Sequence, residues 1–204
     1  MVDRQLRRRD IDDERVLAAM ERVPRELFLP EELRGRAYDD AAVPIGGGQT
    51  MSQPYIVAKM SELLSLDGDE SVLDVGTGSG YHAAVLAELA DEVVTIERVP
   101  ELAERARANL AAAGYENVEV VVGDGTRGLP DRAPFDAIAV AAAAPVLPDA
   151  LYEQLKVGGR IVVPVGGRQN QRLQLIVRSP EGPAVIRSVP CRFVPLLGEG
   201  GFSE

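Results

Sequence analysis

At 204 residues the chain has the length of one well-packed domain, since domains of about 100 to 200 residues are the norm. A formal net charge of −10, from 22 Lys and Arg against 32 Asp and Glu, repels phosphate backbones and argues against a nucleic-acid substrate. No window approaches the roughly 18 apolar residues of a membrane helix, and a single cysteine, Cys191, with a single histidine, His82, makes neither an internal disulfide nor a zinc-ligand set.

The start of the chain, MVDRQLRRRDIDDERV, carries no apolar segment or small-residue cleavage site of a secretory signal, so a cytoplasmic location is expected; a monomer away from membranes is the further expectation. Residues 12–22 place Val16, Leu17 and Met20 at helical spacing behind Asp12 and Asp13, which predicts an amphipathic helix. Pro24 and Pro30 flank Leu27, Phe28 and Leu29, where a short helical turn and then a loop toward Tyr38 are expected. Val43 to Gln53, VPIGGGQTMSQ, contains three consecutive glycines and reads as a loop. Pro54 suits the first residue of a helix to about Leu66, capped by Ser52 or Gln53.

From Ser71 onward strands alternate with helices: SVLDV, YHAAVLAELA, EVVTIE, PELAERARANLAAAG, VEVVVGD. This is the pattern of βαβ units on a parallel sheet. Gly114 fits a helix C′ position, and Val120, Val121 and Val122 read as a strand buried on both faces. FDAIAVAA predicts a further strand, residues 148–155 a helix, and Gly158-Gly159 a turn into RIVVPVG. LQLIVRS and AVIRSVPCRFVPL, separated by PEGP, read as a hairpin closing one sheet edge. The predicted organisation is one domain over 1–204, with a helical and loop region at 1–66, a ligand-binding core at 71–165 and a hairpin and tail at 171–204.

The densest motif is DVGTGSG at residues 74–80, Asp74, Gly76, Thr77, Gly78, Ser79 and Gly80, between a strand and a helix. Its glycines allow a tight turn and a close backbone approach to a ligand. The dinucleotide fingerprint G-x-G-x-x-G is not met, because the third glycine comes one residue early and Tyr81 takes its slot. Glu97, at the end of the second strand, stands where a carboxylate accepts from ribose hydroxyls. Asp124 and Gly125 follow the third strand and offer a carboxylate to an adenine amino group, with Arg98 the one basic residue flanking these acids. Three carboxylates at three strand ends suit a phosphate-free nucleoside carrying an amino acid, which is S-adenosylmethionine.

The segments GGGQTMSQPYIVAKM, DVGTGSGYHAAVLAELA, TIERVPELAERA, GDGTRGLP, FDAIAVAAAAP, LKVGGRIVVPVGG and RFVPLLGEGGF resemble the protein-L-isoaspartate (D-aspartate) O-methyltransferase family over nearly the whole chain. The resemblance implies a single-domain α/β, Rossmann-like class I methyltransferase fold: a mostly parallel seven-stranded sheet with a C-terminal antiparallel hairpin. It implies transfer of a methyl group from S-adenosylmethionine to the free α-carboxylate of L-isoaspartyl residues in damaged proteins and peptides, with S-adenosylhomocysteine as product. It places the family's functional serine on Ser52, and the acceptor against Gln49, Thr50, Ser52, Gln53, Ala142 and Val194. Gly47, His82 and Ala141 depart from the family pattern, and His82 is expected to pack on its helix. The competing readings are a small-molecule carboxyl or tRNA methyltransferase of the same fold, and a cofactor-binding interaction protein without catalysis.

Overall fold

The alternation of strand and helix in the middle of the chain builds a seven-stranded sheet, β3 (Ser71–Val75), β4 (Glu92–Glu97), β5 (Val118–Val122), β6 (Phe135–Val140), β7 (Leu155–Gly166), β8 (Gln171–Ser179) and β9 (Gly182–Cys191), preceded by a small hairpin of β1 (Val43–Gly46) and β2 (Gln49–Met51). The computed structural model describes residues 1–203. The strand order is β5-β4-β3-β6-β7-β8-β9, parallel from β5 to β7 and antiparallel through β8 and β9. The expected α/β class, sheet and terminal hairpin are therefore present.

Alternation along the strands sends Val72 to one face and Leu73 and Val75 to the other. The first face is covered by α1 (Glu14–Arg22), α2 (Pro54–Leu64), α3 (Tyr81–Ala87) and α4 (Pro100–Ala112), which contribute Leu17, Val57, Val85 and Leu102. The second is covered by α5 (Asp149–Glu153) through Leu151, and by Leu196 of the tail. The central strands are thus buried on both sides. Burying a side chain of this size contributes about 1.5–3 kcal/mol, so this double burial dominates the stability of the sheet.

Local chemistry sets the helix ends. The Asp13 side chain accepts from the N–H groups of Arg15 and Val16, so α1 starts two residues later than expected and leaves Asp12 outside it. Pro54 occupies the first turn of α2, where a missing N–H costs nothing. Gly114 follows α4 at φ +82°, as a C′ glycine does.

Three readings need correction. The segment 43–53 is not all loop, because β1 and β2 pair within it, with Val43 opposite Met51. β5 is not buried on both faces: it is the edge strand, and Val122 is 45% exposed. Gly158-Gly159 does not precede a strand but lies inside β7, where Phe135 faces Leu155 and Ala137 faces Arg160, so the intervening residues bulge out of the ladder.

The strand order reverses between β3 and β6. That makes the carboxyl ends of β3, β4 and β6 a switch point, where diverging loops open a crevice.

Candidate active site

The crevice holds a cavity of about 430 Å³, a size suited to a nucleoside-sized ligand. Gly76, Thr77, Gly78 and Ser79 line its floor, Glu97 and Arg98 one side, Gly125 another, and Gln49, Thr50, Ser52, Ala142 and Val194 its far end. Most of the residues singled out from sequence therefore converge on one space. Gly80 does not line it; a side chain there would press on Leu110, so its role is to let the loop sit against α4.

Glu97 is buried and holds the glycine loop. One carboxylate oxygen accepts from the Gly78 N–H at 2.9 Å, and the other from the Val99 N–H at 3.0 Å. Each oxygen has a second lone pair, so the group can still accept from two ribose hydroxyls. The Asn109 side chain of α4 donates to the Ser79 carbonyl at 3.0 Å and fixes the loop from its other end.

Asp124 is placed differently. Its carboxylate accepts from the N–H and hydroxyl of Thr126 at 2.9 and 2.7 Å, and it lines a neighbouring cavity with Thr126, Arg127 and Pro148. Gly198 of the tail packs directly on it, leaving no room for a side chain. Asp74 is also absent from the lining, being fully buried beneath the loop with Thr95 donating to it at 2.8 Å.

A second cavity meets the first at Thr50, Ser52, Ala141, Val194 and Pro195. Arg9, Arg168 and Arg192 line it with Asp40 as the one acid, so it is locally basic in an acidic protein. Gln53 lines this second cavity and donates to the Asp40 side chain at 2.7 Å. It occupies the N-cap position of α2, and no side chain caps that helix. The Ser52 hydroxyl is therefore not spent on a cap, and it makes no hydrogen bond among the described residues.

The β1–β2 hairpin that carries Gln49 and Thr50 turns through Gly46, Gly47 and Gly48 at φ +88°, +59° and +71°. Such a run is open to glycine at little cost, so Gly47 meets a backbone requirement of this turn. Arg105 of α4 donates to the Ile45 carbonyl at 2.7 Å and ties the hairpin to α4.

The structure adds residues that sequence reasoning missed. Arg25 is fully buried, its guanidinium 4.5 Å from the centre of the Tyr81 ring, donating to the carbonyls of Ala37 and Ser52. Burial lowers its pKa from the ordinary value, while contact with Tyr81 acts the other way. No sequence pattern marks it, because a lone arginine in a short helical turn looks like surface. Leu196 and Leu197 of the tail close the cavity, since the chain after β9 returns to pair with the β6 loop: the Leu196 N–H donates to the Ala143 carbonyl, and the Ala143 N–H to that of Val194. His82 lines the cavity as well as packing on α3, buried, with its Nδ1 3.5 Å from Asp74 Oδ1.

A family model described as Protein-L-isoaspartate(D-aspartate) O-methyltransferase matches residues 1–201. The chain is 59% identical over 204 residues to protein-L-isoaspartate O-methyltransferase 2 of Marinobacter nauticus, covering 99% of this chain and 93% of the relative. Among solved structures it is similar to a protein-L-isoaspartate O-methyltransferase with a TM-score of 0.85 at 30% identity, covering 93% of this chain and spanning 63% of that one. It is also similar to a Plasmodium falciparum protein of that description in complex with S-adenosyl-L-homocysteine, with a TM-score of 0.82, 26% identity and 96% of both chains covered.

Proposed function

Because this chain belongs to the protein-L-isoaspartate(D-aspartate) O-methyltransferase family, we propose that the two joined cavities are its cofactor and acceptor sites, with Ser52 at their junction. The enzyme transfers a methyl group to the free α-carboxylate of L-isoaspartyl residues in damaged proteins and peptides. S-adenosylmethionine supplies that methyl and leaves as S-adenosylhomocysteine.

The observation that carries the site assignment is the sharing of Thr50, Ser52, Ala141, Val194 and Pro195 by both cavities. A nucleophile entering from one side can meet a methyl group entering from the other only at that junction. A carboxylate with a pKa of about 4 is already ionised at neutral pH, so the displacement needs no general base. The protein has to align the two groups and exclude water. In this reading the Ser52 hydroxyl donates to one carboxylate oxygen and aims the other, while Gln49, Thr50, Gln53, Ala142 and Val194 shape the acceptor space. Gly76, Thr77, Gly78, Ser79, Arg98 and Gly125 enclose the cofactor, and Glu97 accepts from its ribose. Asp124 keeps an adenine role only through the oxygen that Thr126 leaves free. Asp74 acts from beneath the loop rather than by contact.

We propose further that the chain works as one domain and as a cytoplasmic monomer that does not act on nucleic acid. No helix among the described residues is long and apolar enough to cross a membrane.

Methyl incorporation into an isoaspartyl peptide, compared with the same peptide bearing normal aspartate, tests the function. The isoaspartyl carboxylate lies one methylene nearer the backbone, and a misplacement of about 1 Å can cost on the order of 100-fold in rate. Strong labelling of the isoaspartyl peptide alone is expected; equal labelling of both would turn the reading into a general carboxyl methyltransferase.

A further inference from the structure

Asp74 ends its hydrogen-bonding at one oxygen. Thr95 donates to Oδ2 at 2.8 Å, while Oδ1 is buried with no hydrogen-bond partner. Facing Oδ1 at 3.5 Å is Nδ1 of His82. The other ring nitrogen, Nε2, lies 3.4 Å from the Ser61 hydroxyl, and Ser61 donates its proton to the Val57 carbonyl at 3.0 Å. A hydroxyl has one proton to give. Ser61 therefore accepts from His82, which puts the ring hydrogen on Nε2 and leaves Nδ1 bare in a neutral imidazole. Bare Nδ1 and an ionised Oδ1 would then face each other lone pair to lone pair in the interior, an arrangement relieved by one proton between them.

We propose that Asp74 and His82 share one proton before cofactor binds and release it to solvent as S-adenosylmethionine enters, so that the pair distinguishes the cationic cofactor from its neutral demethylated product. This rests on the cofactor assignment above. Among the described residues, those packed on the pair bring no positive charge to it. β4 presents Thr95 and the second carboxylate, Glu97, the glycine loop presents Thr77, and β6 places Ala139 beside Asp74. α2 presents Ser61, its Lys59 being held by Asp10 and Glu62. Tyr81, the neighbour of His82 on α3, is turned to Arg25.

Burial, assisted by Glu97, pushes the Asp74 carboxyl up to about 7, and burial pushes His82 down to about 4. The proton thus resides on the acid side of the pair near neutral pH. Losing it leaves one negative charge under the cavity that His82 lines. The sulfonium of S-adenosylmethionine gains from that charge, and S-adenosylhomocysteine has no such group. By linkage, whatever ligand prefers the deprotonated pair also drives the proton off.

Calorimetric titration of the full chain with S-adenosylmethionine and with S-adenosylhomocysteine, near neutral pH in phosphate and in Tris, reads the proton directly, because the two buffers take it up with different heats. Release of a fraction of a proton with S-adenosylmethionine, less with the product, is expected. In His82→Gln the carboxamide can donate to an ionised Asp74, so proton release per S-adenosylmethionine bound should fall toward zero. A wild-type experiment needs no variant: the ratio of the two affinities should climb with pH through the neutral range, by at most about tenfold per pH unit for one whole proton. Tight S-adenosylmethionine binding with buffer-independent heat, a flat affinity ratio, or undiminished release in a folded His82→Gln would each overturn the proposal. Absence of S-adenosylmethionine binding altogether would instead remove the cofactor assignment on which it rests.

Discussion

The guanidinium of Arg25 donates to the main-chain carbonyl of Ser52, the residue at the junction of the two cavities, from a fully buried position under Tyr81. A surface residue by type thus sets the backbone of the residue proposed to aim the acceptor. Arg25→Met removes this donor and leaves the carbonyls of Ser52 and Ala37 without a partner. Each buried unpaired carbonyl costs about 1–3 kcal/mol. The variant should unfold at lower urea concentration, and in its folded form should lose turnover more than cofactor affinity. Unchanged stability would show that the Arg25 contacts are replaceable by packing.

Ser52→Ala tests the division of labour more narrowly. The hydroxyl makes no hydrogen bond among the described residues, so its loss should leave the fold intact. Turnover on an isoaspartyl peptide should drop on the order of 100-fold if the carboxylate is displaced by about 1 Å, while calorimetric affinity for S-adenosylmethionine is kept. Equal losses in both would move Ser52 from the acceptor to the cofactor.

Glu97→Ala should weaken S-adenosylmethionine binding by about 1.5–3 kcal/mol, the range for hydrogen bonds to a charged group. Part of the loss arises from the glycine loop, because Gly78 and Val99 lose their acceptor. Glu97→Gln separates the two effects, since the amide oxygen can still accept one of these N–H groups. Titration showing full affinity in a folded alanine variant would exclude the ribose role.

Stability should depend on pH through the Asp74–His82 pair. Asp74 is raised from 3.8 to about 7, so its contribution is present below 3.8 and lost as pH rises through about 7. His82 is lowered from 6.5 to about 4, so its contribution is present above 6.5 and lost as pH falls through about 4. Between about 4 and 6.5 the folded pair and the unfolded pair each bind one proton, and the two slopes cancel. Asp74→Asn leaves the histidine slope alone. Relative to wild type it should lose stability as pH falls from 6.5 toward 4, at no more than about 1.4 kcal/mol per pH unit. Urea unfolding across that range checks it, and parallel curves for the two proteins would contradict the shifts.

Much of the fold and of the grouping of the candidate site residues was legible in the chain itself, because both rest on short-range patterns. Strand and helix periodicity from Ser71 to Gly166 specified βαβ units, whose handed crossovers leave few sheets to choose from. The glycine loop and Glu97 fell at the ends of neighbouring strands, so their convergence followed from the alternation alone. The β1–β2 hairpin was hidden by Gly46 to Gly48, which read as loop because positive φ and strand pairing are compatible only through contacts the sequence does not display. What tertiary structure decided is which side chains are dry. Asp74 and Glu97 are both acids at strand ends, yet one is sealed under the loop and the other faces the cavity. Asp124 is met by Thr126 and covered by Gly198 from the far end of the chain. Arg25 reaches Ser52, 27 positions further along the chain, only because the intervening segment folds back on it. A carboxylate, an imidazole or a guanidinium takes its chemistry from burial and partners, and those partners are fixed by packing between segments distant in sequence.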